Sequence, residues 1–176
     1  KYTAMETLKT ENGLLIYPYK LANSQRVTII PMEDSPTTVK NYVNVGSMNE
    51  TDNIKGISHF LEHMAFNGTN GSEGYLKLNQ GDSFKKIEQL GGWTNASTNY
   101  ALTDYVNSTP LLEKKDLETQ LQVIASMSDD LTLADNMVTK EKGPVCSEIN
   151  MILDNPQTIA MDETVRSLFN IRSSAD

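Results

Sequence analysis

The chain has 176 residues, a formal net charge of -8 and a mean hydropathy of -0.42. This length, with 38% hydrophobic residues, predicts a folded domain with its own core and excludes an intrinsically disordered chain. Because 23 acidic residues outnumber 15 basic ones, the chain is unsuited to nucleic-acid phosphates, and we expect no nucleic-acid partner. We also expect no membrane span, since no apolar run approaches the ~18 residues that one requires.

Strand-like segments occupy the first part of the chain, from Tyr2 to about Ser47. Alternating apolar residues and β-branched runs, separated by turns such as Asn12-Gly13, are typical of consecutive antiparallel strands. Strand character returns from Trp93 to Thr109. Between these regions, the polar and glycine-rich segment from Asn70 to Gly81 predicts a surface loop.

Apolar residues spaced three and four apart predict five helices. They run from Gly56 to Phe66, Ser83 to Leu90, Pro110 to Leu131, Ala134 to Leu153 and Ile159 to Phe169. The apolar stripe of the third helix comprises Leu117, Leu121, Ile124 and Met127. Strands followed by helices, without regular alternation, favour an α+β fold with a mainly antiparallel sheet packed against helices.

The only two histidines of the chain, His59 and His63, lie one helical turn apart with Glu62 beside them. At about 100° per residue, all three side chains project from one helix face. Two imidazoles at this spacing can bind one Zn²⁺, and the carboxylate can take a proton from a water that the metal acidifies. This is the H-x-x-E-H arrangement, which reverses the order of H-E-x-x-H. The alternative is a pair of solvated histidines that binds no metal.

A catalytic zinc requires a third protein ligand and an open fourth position. The predicted helix from Ala134 to Leu153 offers Glu141 and Glu148, seven residues apart and therefore on one face. One could bind the metal while the other orients a histidine N–H, and the alternative is two solvated carboxylates. Gly143-Pro144 lies between them and predicts a kink or a restart of the helix.

Several segments together resemble the zinc-site regions of the pitrilysin/insulinase family of metallopeptidases. They are Val43 to Ser47, Glu50, Gly56 to Thr69, Gly91-Gly92, Asn95 to Thr98 and Glu141 to Glu148 with Ile149. The resemblance implies a pitrilysin/mitochondrial processing peptidase-like fold, the LuxS/MPP-like metallohydrolase fold. It also implies one Zn²⁺ per chain, held by His59, His63 and Glu148.

The same resemblance assigns further roles. Glu62 would be the general base and Glu141 a supporting residue, and an extended peptide would bind along Asn95, Ala96, Ser97 and Thr98. The function implied is a zinc-dependent metalloendopeptidase acting on peptides or unfolded polypeptides. The alternative is a non-catalytic structural or peptide-binding subunit of a processing-peptidase-like complex.

Members of this family enclose substrate between paired homologous domains. Residues 1–176 are therefore expected to form a single zinc-binding peptidase domain, the N-terminal part of a larger protein. A homologous C-terminal domain or partner subunit would complete it, and the isolated chain would be weakly active. We expect a soluble bacterial protein, either cytoplasmic or exported after signal removal, and the sequence leaves the compartment open.

Overall fold

The computed structural model describes residues 1–110 and 113–169, and the chain forms two compact units. The first unit, Lys1–Ser35, holds an antiparallel sheet in which one central strand pairs with three others. Its strands are β1 (Tyr2–Ala4), β2 (Leu8–Lys9), the central β3 (Leu15–Leu21) and β4 (Arg26–Ile29). The predicted turn at Asn12-Gly13 connects β2 to β3, and Gly13 has a φ of 88°, which suits glycine.

The second unit begins at Pro36 and contains a separate three-stranded antiparallel sheet. Its strands are β5 (Thr37–Val43), β6 (Trp93–Thr98) and β7 (Thr103–Thr109). Buried β7 is central, and the order is β5-β7-β6. The α+β prediction with antiparallel pairing is confirmed, although the strands divide between two sheets because β5 pairs with β7 rather than with its predecessor in sequence.

The described residues of the second unit also contain two short 3-10 helices and five α-helices. The 3-10 helices span Ser47–Asn49 and Asp52–Ile54. The α-helices are α1 (Ile57–Met64), α2 (Asp82–Glu88), α3 (Lys114–Asp129), α4 (Asp135–Leu153) and α5 (Pro156–Phe169). Among the described residues, no helix combines the length and apolar content that crossing a membrane requires.

The start predicted for α3 was wrong. Pro110 forms a bend, and the helix begins at Lys114 after an extended Glu113 at its N-cap. The reason is that Thr109 still pairs with Thr37, and a residue before proline is disfavoured in helical conformation. Residues 111 and 112 lie outside the described part of the chain.

The buried face of α3 also differs from the predicted stripe. Ile124 and Met127 are buried, but Leu117 and Leu121 are exposed. Fully buried Gln120 takes part of the predicted apolar face, and its side-chain amide donates to the Thr109 hydroxyl. The core of this unit comprises Ala65, Leu78, Ile87, Tyr105, Val123, Ile124 and Met127.

Candidate metal centre

Helix α1 carries the two histidines, and a carboxylate holds its N-terminus. The backbone N–H groups of Gly56 and Ser58 donate to the two carboxylate oxygens of Glu50, at 2.7 and 2.8 Å. A negative charge is favourable there because the helix dipole is positive at its N-terminus. Glu50 belongs to the segment that resembles the family, yet sequence reasoning gave it no role, since its partners are backbone groups.

The two histidines converge with Glu148 of α4. The His59 and His63 Nε2 atoms are 3.1 Å apart, and Glu148 oxygens lie 3.6 Å and 3.2 Å from them respectively. Ligand atoms at the corners of a tetrahedron around Zn²⁺, with bonds of about 2.05 Å, are separated by about 3.3 Å. These three side chains therefore fit a zinc ion in both donor chemistry and spacing, and their donor atoms all lie within 4.8 Å of one another.

Glu141 lies behind the histidine pair rather than among the converging atoms. The His63 Nδ1 atom is 2.9 Å from Glu141 Oε1, so the ring N–H can donate to the carboxylate while Nε2 faces Glu148. Helix α4 runs through Pro144 as one helix from Asp135 to Leu153, and both glutamates face the histidines of α1.

Glu62 is the most buried carboxylate at this centre, with 9% of the residue exposed. The Thr98 hydroxyl donates to its Oε2 at 3.0 Å. Burial raises the pKa of the Glu62 carboxyl above its ordinary value, whereas the hydrogen bond from Thr98 and the neighbouring histidines lower it. A carboxylate in this position can exchange a proton with a molecule bound next to the histidines.

Strand β6 forms one wall of a cleft of about 450 Å³ next to the histidines. Of the four residues predicted to bind peptide, Ala96, Ser97 and Thr98 line this cleft, and Asn95 is not part of the lining. The cleft also contacts His59, Glu62 and Glu148. Since β6 is last in the order β5-β7-β6, its outer edge has no strand partner among the described residues. The geometry adds a contact from Thr98 to the candidate base that the sequence did not predict.

Gly46 packs against the turn that follows β6, next to this cleft. The N–H groups of Ser47 and Met48 donate to the carbonyls of Asn99 and Tyr100, at 3.1 and 2.9 Å. A Cβ on Gly46 would lie only 2.3 Å from the Asn99 carbonyl oxygen. We therefore expect Gly46→Ala to lower the free energy of unfolding by about 1 to 3 kcal/mol, as overpacking does, measured by urea denaturation.

Gly143 provides the matched control, because a Cβ there meets no atom within 4 Å apart from its chain neighbours and the backbone of its own helix. Gly143 lies inside α4, where alanine is favoured over glycine by about 1 kcal/mol. A residue with a Cβ before Pro144 is disfavoured in helical conformation, which offsets that gain, so Gly143→Ala is expected to change the free energy of unfolding by less than about 1 kcal/mol. Equal denaturation midpoints for Gly46→Ala and the wild type would show that the turn is not fixed as described.

Comparison with known proteins places this chain in a family. A sequence model described as Insulinase (Peptidase family M16) matches residues 28–175. The chain is 32% identical to the uncharacterized zinc protease YmxG of Bacillus subtilis (strain 168) over 152 residues, which cover 84% of this chain and 34% of that protein. It is 31% identical to the mitochondrial-processing peptidase subunit beta of Rattus norvegicus over 142 residues, covering 81% of this chain and 27% of that subunit.

A solved protease structure also resembles this chain. The crystal structure of a protease from Helicobacter pylori matches with a TM-score of 0.67 and 27% sequence identity, over 90% of this chain and 33% of that one. The chain belongs to the insulinase family, peptidase family M16, and the resemblance found in its sequence is confirmed. It spans about a third or less of the length of these relatives.

Proposed function

We propose that the chain is the zinc-binding part of a metalloendopeptidase. The observation that carries this proposal is the convergence of His59, His63 and Glu148 at spacings suited to Zn²⁺, with buried Glu62 in the adjoining cleft. Its relative YmxG of Bacillus subtilis is named a zinc protease, which supports the same chemistry.

His59, His63 and Glu148 would hold the metal as its three protein ligands, one ion per chain. Zinc bound there would supply Lewis-acid chemistry, polarising the peptide carbonyl and lowering the pKa of water. Glu62 would accept the proton of the attacking water and deliver a proton to the leaving amine. Glu141 would support the site by accepting the N–H of His63 and keeping its Nε2 atom directed toward the other ligands.

The substrate would be an extended peptide or an unfolded polypeptide lying along β6. An edge strand offers unpaired backbone N–H and C=O groups, so a peptide can pair with it independently of its side chains. Ala96, Ser97 and Thr98 bring this edge to the cleft that contains Glu62. Asn95 would contribute at the start of the same strand.

We also propose that residues 1–176 are a peptidase domain in the N-terminal part of a larger protein, because the chain spans about a third of its relatives. A homologous C-terminal domain or a partner subunit would close the cleft and supply further substrate contacts. The isolated chain would then hydrolyse peptides weakly.

Metal content is the direct test of this function. We expect about one zinc per chain by elemental analysis. Zinc should also raise the stability of the metal-free protein by about 2.7 kcal/mol when free zinc is 100 times its dissociation constant, measured as a rise in melting temperature. Protein that contains no zinc and gains no stability from added zinc would contradict the proposal and favour a non-catalytic subunit that holds peptides or partner chains.

A further inference from the structure

Asn67 lies directly after α1 and contacts Glu141 from the side opposite to His63. Its Nδ2 group donates to Glu141 Oε2 at 2.9 Å and to the His63 carbonyl at 3.1 Å. Only 9% of Asn67 is exposed. An amide NH₂ has two donors, so both are used here, and they join the end of α1 to the carboxylate on α4.

A second amide fixes the orientation of the first. Gln80 Nε2 donates to Asn67 Oδ1 at 2.8 Å, and the Gln80 oxygen accepts from the ammonium of Lys140 at 3.1 Å. If the Asn67 amide were rotated by 180°, its oxygen would face the Glu141 carboxylate and its NH₂ would face another donor. Gln80 therefore selects the orientation in which Asn67 donates to Glu141.

These hydrogen bonds all run in one direction. They pass from Lys140 through Gln80 and Asn67 to one oxygen of Glu141, whose other oxygen accepts the N–H at His63 Nδ1. Glu141 beside Nδ1 and Glu148 beside Nε2 can both only accept when ionised, but the shorter contact, 2.9 against 3.2 Å, and the hydrogen bond from Asn67 to Glu141 favour the neutral His63 ring with its proton on Nδ1. The lone pair is then on Nε2, the atom that faces His59 and Glu148.

The turn of α4 that carries Glu141 needs such a support. Pro144 has no N–H, so the carbonyl of Lys140 receives no helical hydrogen bond from it. The side-chain contacts from Asn67 and Gln80 fall on Glu141 and Lys140, the same turn. They hold that turn against the loop after α1 where the backbone bond is missing.

We propose that Asn67, oriented by Gln80, is a positioning residue that fixes Glu141 and, through it, the metal-binding form of His63. The inference rests on the proposed zinc site and adds two residues that act on it indirectly. Because Gln80 and Lys140 are exposed and Asn67 is buried, most of the effect lies with Asn67.

The test compares zinc affinity among variants of the purified protein by competition with a chromophoric chelator. Asn67→Asp replaces the donor by a carboxylate facing Glu141, and it should weaken zinc binding ~10-fold or more, as the loss of an outer-shell partner does. Asn67→Ala should weaken binding less, because it removes the donor without adding charge. Gln80→Ala should have the smallest effect of these three variants and weaken zinc binding roughly threefold. Asn136→Asp, which makes the same change at an exposed position on α4, should change affinity by less than about twofold.

A second measurement separates positioning from general destabilisation. The chain has two histidines, both at this centre, so ¹⁵N-histidine NMR of the metal-free protein reports on them alone. Wild type and Asn136→Asp should show a larger fraction of His63 with its proton on Nδ1 than Asn67→Asp, in which the fraction with the proton on Nε2 should rise. Wild-type zinc affinity and an unchanged His63 spectrum in both Asn67 variants would overturn the inference. If the wild type binds no zinc, the proposed function fails, and the His63 spectra alone decide whether Asn67 positions the ring.

Discussion

Replacing Glu62 by glutamine is expected to abolish measurable peptide hydrolysis while zinc remains bound. Glutamine has the same shape and still accepts the hydrogen bond from Thr98, but it cannot take up a proton. The loss of a general base typically costs 10²- to 10⁴-fold in rate. The measurement is kcat/KM on an unstructured peptide, together with zinc content by elemental analysis.

A matched variant and a stability control make this result specific. Glu88→Gln makes the same change at an exposed position on α2 and should leave the rate unchanged. Because burial raises the pKa of Glu62, an ionised Glu62 opposes folding at pH 7, and Glu62→Gln should raise the melting temperature of the metal-free protein there. This gain should disappear once the pH falls below the ordinary glutamate pKa of about 4.3, where folded and unfolded states are both protonated. A Glu62→Gln enzyme that cleaves peptide at nearly the wild-type rate would show that another group is the base.

Loss of Glu148 is expected to impair zinc binding more than loss of Glu141. Structural zinc sites with a full ligand set bind the metal with a free energy of about 10 to 16 kcal/mol. Removing one direct ligand should therefore weaken zinc affinity on the order of 100-fold or more. Removing a residue that hydrogen-bonds to a ligand typically weakens metal affinity about 10- to 100-fold. Zinc dissociation constants of Glu148→Ala and Glu141→Ala, measured by chelator competition, test this order.

The expected order follows from the different histidine nitrogens that the two glutamates contact. Glu148 approaches both Nε2 atoms, whereas Glu141 contacts the opposite nitrogen of His63. Glu88→Ala is the control for a lost surface carboxylate and should bind zinc like the wild type. If Glu141→Ala lost more affinity than Glu148→Ala, the roles of the two glutamates would have to be exchanged.

Local periodicity predicted the part of the site that lies on a single helix. His59, Glu62 and His63 follow from the 100° rotation per residue, and the structure has them on α1 as expected. Glu148 was chosen over Glu141 only through resemblance to a family, because spacing alone put both on one face of α4. Pro144 predicted a kink or a restart of the helix; the restart was wrong, because α4 is continuous through that residue, and the kink stays a prediction.

Contacts between distant segments could not be predicted from the sequence. Asn67 and Glu141 are 74 residues apart, and nothing in the local pattern of either indicates the other. The buried face of α3 was misjudged for a similar reason. Hydrophobicity favoured Leu121 for the core, but buried Gln120 forms a hydrogen bond with Thr109 that only the folded strand makes available.

The metal centre is divided between an early and a late part of the chain. The histidine pair is complete as soon as α1 forms, but the Glu141 partner of His63 follows it by 78 residues and is brought in by α4. During synthesis, the two imidazoles exist before Glu141 and Glu148, and such a pair alone prefers Cu²⁺ to Zn²⁺. The packing of α4 on α1 supplies the oxygen donor, so tertiary folding rather than the histidine motif determines when the candidate metal site is complete.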